Sequence, residues 1–149
     1  MNALASLPAF SAYAVSVIAL GLNLVGLANA TALTRARANE VINPEDQKLN
    51  QKASVVYEEG NDRTARYRRA HRNALENTPL FMITALVFTL MGASATLGAV
   101  LFYPYAALRI LHSVCYVKQV QPFRTITFAI AALIQVTVLG FIGYYTFAG

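Results

Sequence analysis

The chain has 149 residues, 56% of them hydrophobic and 13% charged, with a formal net charge of +5. That balance is too apolar for an ordinary soluble domain of this size. The single cysteine, Cys115, excludes an internal disulfide framework and a cysteine-rich metal site, and no recognition motif accompanies the positive charge, so nucleic acid is not an expected partner.

The distribution of charge says more than its total. All 12 Lys and Arg lie between Arg35 and Arg124, and residues 1–34, 77–108 and 125–149 carry no charged side chain. A membrane-crossing helix needs about 20 apolar residues, so each of these runs can cross once. The segment from about Leu97 to Val117 can cross as well, despite Arg109 and His112. The expectation is an all-α, polytopic membrane protein, a single four-helix domain over 1–149 with spans at about 9–34, 66–91, 97–117 and 123–147. Nine Lys or Arg fall within residues 35–72, which include the loop of about 35–65, and the last connection holds Lys118 and reaches Arg124. The positive-inside rule then places both basic loops in the cytoplasm and both termini on the opposite side. A bacterial inner membrane and the endoplasmic reticulum both fit.

In chain order, the first span has a low surface from Gly21, Gly26, Ala28, Ala30 and Ala32, which suits close helix packing in lipid. Its amides, Asn23 and Asn29, are expected to hydrogen-bond between helices. Ala28-Asn29-Ala30 has the shape of a signal-peptidase site, but the apolar run is long and no basic segment precedes it, so an uncleaved span is expected. Asn43-Pro44-Glu45-Asp46 has the order of a helix start. It predicts a surface helix from Pro44 to about Tyr57, ended by Gly60-Asn61-Asp62. The second span begins inside RYRRAHRNALEN, residues 66–77, and carries Pro79 one turn into its apolar part. The short GASATLG turn makes spans two and three antiparallel. Cys115 is expected to pack as a small residue. Tyr144, Tyr145 and Phe147 end the fourth span as an aromatic belt.

On a helix, Arg69, Arg72, Asn73 and Glu76 fall at i, i+3, i+4 and i+7, one face. Arg109, His112 and Tyr116 share a face of span three, and Arg124 and Phe128 stand at i, i+4 on span four. The alternating topology brings these groups into one leaflet. A charge near the bilayer centre costs about 2.5–3.5 kcal/mol on insertion scales, and Arg109 lies about 10 Å deeper than Tyr116 at the helical rise. Two readings account for that cost. One is an ion-pair network among the cations and Glu76 that holds the bundle together. The other is a polar cavity for a small ligand bearing carboxylates and an ammonium, met by several arginines and one acid.

At these residues the sequence resembles a known family. RAHRNALEN is similar to the second-helix signature R-A-H-x-N-x-x-E of the MAPEG family, the membrane-associated proteins of eicosanoid and glutathione metabolism. ANEVINPEDQ resembles the family's NPED loop, and RILHSVCYVKQVQPFRTITF its third-to-fourth helix passage. Within the family the chain most resembles the branch of microsomal prostaglandin E synthase and microsomal glutathione transferases, although its ENTPLF spacing is nearer the leukotriene C synthase pattern. The resemblance implies a homotrimer binding glutathione between subunits, with a lipophilic substrate arriving from the membrane lipid. Carried over, Arg35, Arg72, Asn73, Glu76, His112 and Tyr116 would hold glutathione, with Arg69 on the same face. Arg124 matches the arginine at the glutathione sulfur, Thr125 a serine beside it, and Asp46 an aspartate of the NPED loop thought to act with that arginine. Two departures stand out. Phe128 replaces a glutathione-contacting tyrosine, and the loop from Tyr116 to Pro122 is one residue short. A glutathione-dependent transferase or peroxidase, a prostaglandin E synthase-type isomerase and a non-enzymatic lipid-binding relative all remain compatible with these residues. A small transporter is less so, since neither an inverted repeat nor a broken midplane helix is visible.

Overall fold

The computed structural model describes residues 3–57 and 60–148. After a 3-10 turn at Ala3–Ser6, four helices carry the chain: α1 at Phe10–Arg37, α2 at Asp62–Leu90, α3 at Ala95–Lys118 and α4 at Phe123–Phe147. Helix α1 packs on α2 and α3, α3 packs on α4, and α2 also touches α3 and α4. Among the described residues α1 and α4 do not meet.

Local chemistry sets the helix ends. The Asn61 side chain accepts from the backbone N–H groups of Arg63 and Thr64, satisfying two donors that open α2. Asn61 is itself held by Glu40, whose carboxylate accepts its backbone N–H at 2.9 Å and its side-chain amide at 3.0 Å. Ser94 caps α3 through Leu97 N–H, and α3 stops where Gln119 turns left-handed at φ 63°. Helices α2 and α3 run on through Pro79 and Pro104.

Three helices, α1, α3 and α4, are long and apolar enough to cross a membrane by length and composition. Helix α2 is as long, but its first half is the basic stretch that begins at Arg63. The molecule is a four-helix integral membrane bundle.

The expected surface helix from Pro44 to Tyr57 does not form. A 3-10 turn at Pro44–Lys48 is all that follows Asn43, and the chain then returns as a strand. Strands β1 (Glu40–Val41) and β2 (Ser54–Val55) pair in parallel, extended by Ser54 N–H to Asn39 O at 2.9 Å and Val56 N–H to Val41 O at 2.8 Å. The start signal was present, but no apolar stripe followed it. The turn buries nothing and Leu49 is 91% exposed, so no packing energy supports a longer helix.

Helices α1 and α3 run parallel and are tied at two heights. Ala9 approaches Gly98 so closely that a Cβ there would lie 2.7 Å from the Ala9 Cβ. Further along, Asn23 donates to Ser113 Oγ at 3.1 Å. Asn29 instead returns its amide to Val25 O on its own helix, so one of the two expected interhelical bonds is made.

Candidate functional site

The site residues expected from the sequence sort into three places. The inner group lies between α2, α3 and α4. Arg109 is 2% exposed, and its Nη2 donates to the Asn73 side-chain oxygen at 2.7 Å and to the Asn73 backbone carbonyl at 3.1 Å. Its guanidinium carbon stands 5.8 Å from the Phe128 ring centre. No carboxylate offsets it among the described residues, and its Nε has no partner. A buried cation met by carbonyls and a π face leaves an uncompensated positive field.

One turn on, His112 brings its Nδ1 to the Arg124 backbone carbonyl at 2.9 Å. A carbonyl accepts only, so Nδ1 carries the hydrogen and Nε2 is left as the free nitrogen. Nε2 is buried and unpartnered among the described residues. Thr127, buried beside it, donates back to Phe123 O or Arg124 O, fixing the first turn of α4. The Arg124 guanidinium carbon lies 4.8 Å from the Tyr116 ring centre, a cation–π contact that aims the charge along the end of α3. The His112 ring stands 5.9 Å from Tyr116 and 5.7 Å from Phe128. Asn73, His112, Tyr116, Arg124 and Phe128 therefore gather around one spot.

Arg72 and Glu76 occupy a second place, exposed on the outward face of α2. The ion-pair network weighed from the sequence is not made within the chain, since neither residue has an ionic partner among the described residues. Arg69, partly buried, lies on the same helix between them and the loop. The third place is a recess at the end of α1 lined by Arg35, Glu40, Asp46 and Asn50. Asp46 accepts a weak bond from Asn43 at 3.4 Å and makes none to Arg124. Thr125 is exposed and donates its hydroxyl to Gln121 Oε1 at 3.1 Å.

Sequence reasoning missed the residues that support this arrangement. Asn77 donates from its side chain to Asn73 O at 2.8 Å, and Tyr105 donates to Asn77 O at 3.3 Å. Together with Arg109 they form a ladder that locks α3 to α2. The charge cost of Arg109 pointed to a partner, and the structure supplies Asn73 in that place. Asn73, expected to face a ligand, uses its carbonyl on Arg109.

With this geometry in hand, comparison with known proteins is decisive. The MAPEG family model matches residues 12–144. The chain belongs to the MAPEG family. It is 31% identical over 123 residues to human microsomal glutathione S-transferase 1, covering 80% of this chain and 77% of the relative. The rat enzyme of the same name is 31% identical over 128 residues, covering 82% and 79%. Human prostaglandin E synthase is 26% identical over 129 residues, covering 86% and 84%. The MAPEG chain thus has relatives named for two reactions, and its own site must be judged on its residues.

Proposed function

We propose that this MAPEG protein is a glutathione-dependent membrane transferase, working on lipophilic electrophiles or lipid hydroperoxides that reach it from the bilayer. One observation carries the reading. The polar end of the bundle holds a buried Arg109, a half-buried Arg124 and an exposed Arg72, while Glu76 is left without an internal partner. That excess of positive charge with one free acid complements a tripeptide bearing two carboxylates and one ammonium. The unpartnered Nε of Arg109 and Nε2 of His112 are further polar groups able to take up a ligand or its water. The relatives named glutathione S-transferase support the same choice of ligand.

When bound, glutathione supplies the sulfur nucleophile. A free thiol has a pKa of about 8.5, and lowering it by one unit takes about 1.4 kcal/mol. Arg124 supplies that from the first turn of α4, where its charge adds to the positive end of the helix dipole. Tyr116 holds the guanidinium from below, and His112 holds the backbone of the same residue. Arg124 is thus fixed at both ends, and the field at the sulfur is set before substrate arrives. Arg72 and Glu76 bind the ends of the tripeptide, and Arg35 and Asp46 complete the site from the α1 side of a neighbouring copy in a homotrimer. With an aryl halide the new C–S bond displaces halide, and the thiol proton passes to solvent. Thr125 can turn its hydroxyl toward the sulfur once it releases Gln121.

The test is a glutathione titration of the purified protein by thermal protection, followed by turnover of a chromogenic aryl halide, a lipid hydroperoxide and a prostaglandin endoperoxide. The proposal expects saturable protection and turnover of the first two. Protection without any turnover would make the chain a binding protein, and absence of protection would remove glutathione from the account.

A further inference from the structure

A groove between α1 and α3 takes no part in the site above. Beyond the Asn23–Ser113 bond, Gly26 and Ala30 of α1 stand opposite Val114 and Val117 of α3 across a hollow of about 290 Å³. At its base Asn23 donates to Ser113, whose hydroxyl donates in turn to Arg109 O, and the walls beside them are apolar. At one end the hollow reaches Lys118 and Tyr67. Tyr67 and Val117 also line a second, polar recess that contains Arg63, Arg66 and Asp62. The two recesses therefore adjoin at Tyr67 and Val117, and together they are lined by three cations and one acid. None of Arg63, Arg66 and Lys118 has an ionic partner among the described residues.

We infer that this channel holds one membrane phospholipid with a net negative headgroup. One of its acyl chains lies between Gly26, Ala30, Val114 and Val117, and its phosphate sits among Arg63, Arg66 and Lys118. From Asn23 to Ala30 the channel runs about 10 Å along α1 at the helical rise. Its cations stand at one end only, as an amphiphile entering from one leaflet requires. A free phosphate would leave the apolar part empty, and a neutral hydrocarbon would leave the cations unmatched. Basic pockets between membrane helices select anionic headgroups for the same electrostatic reason. A second copy of this chain would bring cations to cations.

Native mass spectrometry of the whole protein, offered equal phosphatidylglycerol and phosphatidylcholine in detergent, tests the assignment. Wild type retains one phosphatidylglycerol per chain, with a preference of about 30-fold over phosphatidylcholine, as a net two nearby cations provide. Gly26→Leu fills the channel, and no heavy atom lies within 4 Å of a Cβ placed there, so the helix accepts the side chain. This variant loses the retained lipid and keeps its glutathione response. Arg63→Gln with Lys118→Gln keeps one lipid per chain while the headgroup preference falls to near parity. Unchanged retention in Gly26→Leu would move the lipid elsewhere, and equal retention of both lipids by wild type would overturn the headgroup assignment. Disulfide-linked copies formed through Gly26→Cys, or displacement of the lipid one for one by a turnover substrate, would give the channel to another occupant.

Discussion

The two ends of the bundle are held by different chemistry. At the end away from the basic loops, Phe81 stacks on Tyr105 at 3.6 Å, and Phe88 meets Phe102 at 6.3 Å and Phe141 at 5.5 Å. Phe81, Phe88, Phe102 and Tyr105 are each 2% exposed or less. At the basic end the buried apolar core shrinks to Leu27, Ala70 and Ala74, and the space beside it holds Arg109 and His112 with polar atoms unmatched. One end is filled by packed aromatic rings. The other is underpacked and polar, and its residual capacity is what binding needs.

Mutations at each end sharpen or break that division. Phe88→Ala should lower stability by about 3–5 kcal/mol, read as thermal unfolding in detergent, while the folded fraction keeps its turnover. Loss of turnover in proportion to stability would show that the ends are not independent. Arg124→Ala should reduce aryl halide conjugation about 100- to 1,000-fold, the range for removing one preorganised charge from a reacting centre. Its glutathione protection should largely survive, and full activity would end the mechanistic proposal. Glu76→Gln should weaken glutathione binding about tenfold through loss of a charge-assisted bond, with little change in unfolding without ligand. Unaltered protection would remove α2's outward face from the site. The smallest effect expected is that of Asn61→Ala, about 1 kcal/mol for a lost helix cap. It should appear as faster amide exchange in the first turn of α2, with conjugation unchanged. Uniform exchange along α2 would mean that the cap does not hold this end.

The helices were legible because their causes are local. Charge-free runs long enough to cross a bilayer sit in the sequence as read, whereas Asn61-Asp62, read there as the end of a surface helix, opens α2 instead. The loop was not, because Asn43-Pro44 marks a helix start without revealing that nothing downstream packs on it. What replaces the helix is pairing between Asn39–Val41 and Ser54–Val56, which depends on residues 15 apart meeting in space. In the site, the spacing of His112, Tyr116, Arg124 and Phe128 placed them correctly on faces. It could not show that Arg109 would be met by Asn73, since helical periodicity assigns a face but not a partner on the next helix. Asn77 and Tyr105 escaped notice for the same reason. An amide and a phenol in apolar runs look like isolated polar residues until their carbonyl neighbours are known.

The two ties between α1 and α3 have a mechanical consequence. From Ala9 to Asn23 the chain climbs about 21 Å, and from Gly98 to Ser113 about 22 Å, at the helical rise. Rungs so evenly spaced leave no slack for axial sliding, because a shift that improves one contact spoils the other. The height at which α1 carries Arg35 is consequently dictated by α3, and the loop that carries Asp46 inherits that height from α1.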